Sequence, residues 1–282
     1  VVVYDQGVDS AHPDLVANFD SVNQLNAVTG GSDGTPQGGG DNHGTAVAGL
    51  IGAAQNGIGV VGVAYETTIV AIYDPLSSSS SAFAAQLVNG YQHSANFDVS
   101  NHSWGYGNYF FSTPNAAFID NFDVNPFSSA GNALEAAVIG GRNGLGTVFV
   151  QSAGNGSQYG DDVNLHSFQN SRFTTTVAAT NEDGTITSYS TPGAAVLVAS
   201  PGSPPAGTIV TTDRIGSDGY SAGDYTFSFN GTSAAAPIVS GVVALMLEAN
   251  PDLCWRDVQE ILAMSARNSD PDSSSWQTNG AT

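Results

Sequence analysis

The feature that most constrains this chain is an alternation of two apolar patterns along its 282 residues. Short β-branched runs read as buried strands: Val1 to Tyr4, Thr67 to Ile72, Thr147 to Val150 and Thr174 to Ala179. Between them lie stretches with helical character: Gly44 to Ala54, Ser81 to Tyr91, Ala130 to Gly140, Ser233 to Ala249 and Trp255 to Ala266. Strands that alternate with helices bury both faces of a parallel sheet, so the expected class is α/β with a mainly parallel central sheet. Loops rich in Gly and Ser, as at Gly30 to Gly40 and Pro201 to Gly207, punctuate the pattern. No internal repeat or linker divides residues 1–282, which are expected to form a single domain. The chain opens directly on a strand pattern and stops in a polar stretch, so the domain is expected to be incomplete at both termini.

Composition narrows the partners. Twenty-five acids stand against five bases, all arginine, for a net charge of -20. Such a surface repels nucleic-acid phosphates and anionic membranes, which excludes nucleic acid as a partner. No run of about 18 apolar residues is found, so no membrane span is expected. The lone Cys254 forbids an internal disulfide and occupies the N-cap position of the Trp255 helix, with Asp257 placed to complete a capping box. His12, His93 and His102 lack zinc-ligand spacing.

Three blocks carry chemistry-bearing residues. Asp5, in Val3-Tyr4-Asp5-Gln6-Gly7-Val8-Asp9, stands at the C-terminal end of an apolar strand, where parallel sheets collect ligand-binding groups. His43, in Asp41-Asn42-His43-Gly44-Thr45-Ala46-Val47-Ala48-Gly49, opens a helix of small residues that can approach a sheet closely. Ser233, in Asn230-Gly231-Thr232-Ser233-Ala234-Ala235-Ala236-Pro237, also stands at a helix N-terminus, where free N–H groups bind anionic oxygen. Taken singly, each fits a cap, a turn or a structural histidine.

In order and in context, the three blocks resemble the signatures of the subtilisin-like serine proteases. The order Asp, His, Ser is that of the subtilisin triad. The resemblance spans nearly the whole chain and implies the subtilisin-like three-layer fold, with helices on both faces of the sheet. It implies a serine endopeptidase acting on polypeptide substrates. Ser233 would be the nucleophile, His43 the general base and acid, and Asp5 the group that orients the imidazole. Asn155, in Val150-Gln151-Ser152-Ala153-Gly154-Asn155-Gly156, falls where the family places its oxyanion asparagine. Ser103, Trp104 and Gly105, with Ser152, Ala153 and Gly154, resemble the edges that bind an extended peptide. The resemblance also implies a prodomain outside this chain and a secreted or cell-surface location.

Several stretches are similar to the kexin and furin branch in particular. They are Gly231 to Pro237, Glu248 to Leu253, Trp255 to Gln259 and Gly141 to Gly146. Members of that branch cut after paired basic residues, using acidic pockets. Here Gln6, Asn108 and His166 stand where that branch carries acids, and a carboxylate is what pairs with a substrate cation. The expectation is a broader endopeptidase. The resemblance further implies a structural calcium ion held by Asp14, Asn56 and the carbonyls of Ile58 and Val60, an oxygen set suited to that ion.

Two rival readings differ from this one in identifiable residues. An α/β-hydrolase would need a Gly-x-Ser-x-Gly elbow, which Ser233 lacks, and a different order of triad residues. The other is an inactive or binding-only subtilisin-like fragment. Asp5, His43, Ser233 and Asn155 all being present weighs against degeneration.

Overall fold

Parallel strands buried on both faces must be apolar on both, and β1 shows why the chain complies. Val2 and Tyr4 point into one apolar cluster and Val3 into another, all three fully buried. The computed structural model describes residues 1–76, 79–105, 118–203 and 209–272. In order these form β1 (Val2–Asp5), β2 (Leu25–Asn26), α1 (His43–Gly52), β3 (Val70–Tyr73), α2 (Ser80–Ser94) and β4 (Val99–His102). Then come α3 (Ser128–Gly140), β5 (Val148–Ser152), α4 (Ser167–Asn170), β6 (Thr174–Thr180) and β7 (Val196–Pro201). The last are β8 (Ile209–Thr212), β9 (Tyr225–Phe229), α5 (Thr232–Ala249) and α6 (Trp255–Ser265).

Seven strands form one sheet in the order β2-β3-β1-β4-β5-β6-β7, and every pairing in it is parallel. Helices α2 and α3 cover one face through Phe83, Leu87, Ala130 and Leu134. Helices α1 and α5 cover the other through Val47, Ile51, Val239 and Val243. This is the expected three-layer α/β arrangement. The chain leaves β1 toward β3 and returns beyond it to β4, so the direction of winding reverses at β1. Ligands bind at such a reversal, outside the C-terminal ends of the strands.

Four strand regions lack an apolar run that announces them in the sequence: β2, β4, β7 and the antiparallel pair β8–β9. Strand β4 is polar, Val99-Ser100-Asn101-His102, yet entirely buried. Its side chains bond one another and nearby helices. Ser100 Oγ lies 3.1 Å from Ser94 Oγ and 2.9 Å from His102 Nε2, and Asn101 Oδ1 accepts from Ser240 Oγ at 2.8 Å. His102 is thereby structural. Burial pulls its pKa down to about 3, and its ring stacks on Phe149. Strand β8 braces α1: Thr211 Oγ1 donates to Ala46 O at 2.8 Å and Thr212 Oγ1 to Thr45 O at 2.6 Å.

By length and composition alone, α5 is apolar enough to cross a membrane. In the fold this helix lies against β4, β5, β6 and β7, with 56% of it buried. Cys254 does cap α6, and Asp257 Oδ2 accepts the Cys254 N–H at 2.8 Å. Asn108 and residues 276–280 lie outside the described residues.

Helix α1 can reach β1 only because Gly44 has no side chain. A Cβ there would stand 2.3 Å from Gly7 O and 2.9 Å from the Asp5 Cβ. Gly44→Ala is expected to cost about 1–3 kcal/mol through overpacking, measured by urea denaturation. Gly40→Ala, where a Cβ would meet nothing within 4 Å, should stay within about 0.5 kcal/mol of wild type. Equal losses at the two positions would contradict this packing.

Candidate active site

Strand β1 delivers Asp5, fully buried, to the C-terminal edge of the sheet. Helix α1 begins at His43 and turns its imidazole onto that carboxylate. His43 Nδ1 lies 2.9 Å from Asp5 Oδ1 and 3.0 Å from Oδ2, and Gln6 donates its backbone N–H to Oδ1 at 2.8 Å. Nδ1 therefore carries the proton of the neutral ring, and Nε2 is left as the basic atom. The ring is 22% exposed and packs on Phe229 at 5.4 Å. Burial alone would lower the imidazole pKa. The charge of Asp5 and its hydrogen bond outweigh burial, and the net shift is upward from 6.5.

Ser233 is the second residue of α5, so its backbone N–H has no carbonyl one turn back within the helix. Its hydroxyl donates to Ser103 O at 2.9 Å, and no hydrogen bond joins it to His43 among the described residues. Ser103 returns the contact, its Oγ donating to Ser233 O at 3.0 Å. Pro237 explains why that carbonyl is free. It stands four residues after Ser233, beyond the first turn of α5, and has no N–H to offer.

Asn155 follows β5 and is exposed. Its Oδ1 accepts both the backbone N–H and the hydroxyl of Thr232, each at 3.0 Å. Those two bonds fix which way the amide faces, and leave Nδ2 as the free donor. Gly231, at φ 96, makes room for it, since a Cβ there would stand 3.1 Å from Nδ2. Asn155 Nδ2 and the Ser233 N–H are two donors held on adjacent segments.

Strand β4 runs out into Ser103-Trp104-Gly105, and its neighbour β5 into Ser152-Ala153-Gly154, so the six residues border one slot. The Trp104 side chain is buried and donates to Tyr4 O at 2.7 Å, so it serves the core. Its carbonyl, at the slot, accepts from the side chain of Gln151. Sequence reasoning missed Phe229, Thr232 and Asp74. Asp74 is buried beside Asp5: it donates its N–H to Asp5 O at 2.8 Å and accepts from Tyr4 Oη at 3.0 Å. Desolvation pushes its pKa up to about 6. An aspartate ending the Thr67 run was the available signal, the same one that marked Asp5.

The four residues assigned to calcium do come together. Asp14 Oδ1 accepts from Asn56 Nδ2 at 3.1 Å, and Oδ2 from the Val60 N–H at 2.9 Å. Asn56 Oδ1 accepts the Ile58 N–H at 3.1 Å. The Tyr225 hydroxyl also bonds Asp14, and burial followed by the Asp14 charge pushes the phenol up to about 12. Calcium takes about six to eight oxygen donors. Here N–H and O–H groups already occupy the carboxylate, so the donor set as it stands does not fit the ion. No group of three or more His, Cys, Asp or Glu able to hold a metal occurs among the described residues.

The model of the subtilase family matches residues 1–280, and the chain belongs to that family. Proprotein convertase subtilisin/kexin type 7 of Homo sapiens is 34% identical, over 100% of this chain and 35% of its own length. A dibasic-processing endoprotease of Schizosaccharomyces pombe is 34% identical, over 98% of this chain and 37% of its own length. The chain thus spans little more than a third of these relatives. A serine protease of Aeromonas sobria, solved in complex with its chaperone (ORF2), superposes with a TM-score of 0.82 at 26% identity, covering 96% of this chain and 51% of that one.

Two measurements follow. In an NMR titration, His43 of the wild type is expected to titrate above 6.5, and in Asp5→Asn below it, because burial remains when the carboxylate charge is gone. An unchanged His43 midpoint in Asp5→Asn would contradict the contact. The thermal midpoint is expected to be the same in EDTA and in millimolar calcium. A calcium-dependent rise that Asp14→Asn abolishes would show that the loop turns its carbonyls to the ion.

Proposed function

We propose that this chain is the catalytic domain of a serine endopeptidase, with Asp5, His43 and Ser233 as its triad and Asn155 as its oxyanion donor. The observation that carries the reading is the Asp5–His43 contact at 2.9 Å, with Ser233 bonded to Ser103 just past β4 and Asn155 just past β5 of the same parallel sheet.

A substrate peptide extends along Ser103 to Gly105 and Ser152 to Gly154 and pairs with those backbone groups there that internal hydrogen bonds leave open. Binding places its carbonyl carbon by Ser233. The Ser233 hydroxyl, resting on Ser103 O, rotates about χ1 toward His43 Nε2; such contacts commonly tighten only in the substrate complex. Nε2 takes the proton as Oγ attacks, and the C–O bond forms while the carbonyl π-pair moves onto oxygen. Asn155 Nδ2 and the Ser233 N–H stabilise that oxygen. Asp5 offsets the charge on the imidazolium and holds its orientation. The oxyanion then returns its pair to the carbonyl as the C–N bond breaks, the imidazolium gives its proton to the departing amine, and water repeats the sequence on the acyl-enzyme.

Support for a polypeptide substrate comes from the family and from the two strand edges. A prodomain outside this chain is proposed as a folding partner, in keeping with the chaperone-bound Aeromonas sobria protease. A secreted or cell-surface setting is proposed from the resemblance and accords with the net charge of -20. Neutral Gln6 and the pairing of His166 with Asp161 at 2.7 Å support broader cleavage than a strict dibasic rule.

The test is reaction with a fluorophosphonate. Folded wild type is expected to label and Ser233→Ala is not; Ser233-independent labelling, or none, would favour a binding-only domain. Asn155→Ala is expected to lower kcat about 100- to 1000-fold with KM little changed, the loss known for the corresponding donor of subtilisin itself.

A further inference from the structure

The carbonyl that Pro237 leaves free near the start of α5 sets the direction of a longer row of hydrogen bonds. A carbonyl can only accept, so Ser103 Oγ must donate to Ser233 O, and it does so at 3.0 Å. The one hydroxyl proton of Ser103 is then spent, and its Oγ accepts from Asn101 Nδ2 at 3.0 Å. That bond turns the other end of the Asn101 amide, Oδ1, toward Ser240 Oγ, which donates to it at 2.8 Å. The three bonds form a relay with a single direction, from Ser240 to Asn101, then to Ser103, then to Ser233. It starts and ends on α5 and passes through β4 on the way.

Every side chain in the relay is out of water. Relative exposure is 0% for Asn101 and Ser240 and 2% for Ser103. Apolar residues of the same shape would fill this interior at little loss of stability. They would not supply a donor for the Ser233 carbonyl. The middle of the relay must accept on one side and donate on the other, and a side-chain amide does both.

The relay ends on the residue that carries the nucleophile, and Ser233 is held on both sides. Before it, the Thr232 N–H donates to Asn155 Oδ1 at 3.0 Å; after it, its own carbonyl accepts from Ser103. Between the two lie the Ser233 N–H and the Ser233 hydroxyl, which rests on Ser103 O at 2.9 Å. The first hold is on an exposed asparagine, whereas the second runs back into the core through Asn101.

We propose that Asn101 is a positioning residue for the nucleophile: acting through Ser103, it fixes the start of α5 against β4 and so sets where the Ser233 hydroxyl and N–H stand, with Ser240 as the far anchor. The inference rests on the peptidase reading above. It adds to that reading two residues, Asn101 and Ser240, that bond neither Asp5 nor His43. Ser240 lies about 10 Å along the helix from Ser233, out of direct contact, and reaches it only through the relay. Hydrogen bonds in a row polarise one another, so loss of the far bond weakens the near one.

The test compares Asn101→Ala, Ser240→Ala, Ser103→Ala and the double variant of Ser103 and Ser240. Turnover of a peptide substrate is divided by the number of active sites counted with a fluorophosphonate, so misfolded molecules do not enter. Asn101→Ala is expected to lower kcat about 10- to 100-fold and Ser240→Ala about 3- to 10-fold, with KM within about twofold, because a misplacement of about 1 Å costs about 100-fold. Ser240→Ala removes a single atom and keeps the test open where Asn101→Ala fails to fold. With the relay already cut in Ser103→Ala, adding Ser240→Ala is expected to change kcat no further. The NMR midpoint of His43 is expected to be the same in all variants. The NMR signal of an isotope-labelled Ser233 carbonyl is expected to shift in Ser240→Ala, a readout that needs no substrate. A role in stability alone would lower the thermal midpoint of Ser240→Ala and leave kcat per active site unchanged. That result, an unmoved Ser233 carbonyl signal, a displaced His43 midpoint, or an equal loss from Ser240→Ala in both backgrounds would overturn the proposal. A carbonyl signal that shifts as expected, but no hydrolysis of peptide by wild type, would leave the relay standing and sink the peptidase reading instead.

Discussion

The contact between Asp5 and His43 sets the terms for the rest of the structure. A carboxylate with no solvent exposure is strongly disfavoured unless donors meet it. The Gln6 N–H and His43 Nδ1 do so, at 2.8 and 2.9 Å. To bring His43 there, the first turn of α1 must lie directly on the end of β1. That requires glycine at position 44, small residues along the helix, and a brace on its far side from Thr211 and Thr212. Stability and function thus draw on the same few contacts. A change that spreads α1 from β1 loosens the core and separates the two groups at once.

Polar groups elsewhere are arranged by the same economy of donors and acceptors. Pro237 withholds one helical hydrogen bond, and the Ser233 carbonyl it leaves free is taken by Ser103. Ser103 in turn holds the Ser233 hydroxyl through its own carbonyl. The Ser233 hydroxyl is therefore tied to the strand edge, and a bound peptide can alter both together. Thr232 performs a similar service for Asn155, consuming its carbonyl oxygen so that its amide N–H faces outward.

Much of this was legible in the sequence. Asp5, His43, Ser233 and Asn155 each sit at a strand end or helix start, positions fixed by local pattern. Glycines and small residues around them mark close approach. What escaped reading was non-local. Strand β4 looked polar because its side chains bond across to α2 and α5. The β8–β9 pair is separated by a long loop, and its brace on α1 joins residues about 165 apart in the chain. The donor network on Asp14 depends on Tyr225, which no local pattern connects to residues 56–60. The pairing of His166 with Asp161 depends on a turn geometry that the sequence does not announce.

The central claim is that His43, tuned by Asp5, is the base that activates Ser233. The most direct measurement compares two midpoints in the wild-type protein: the acid limb of kcat/KM on a peptide substrate and the NMR titration of His43. Only the neutral ring can accept the Ser233 proton, so the rate should fall as the ring charges, and the two midpoints should coincide above 6.5. A rate that stays level while His43 becomes protonated would contradict the account.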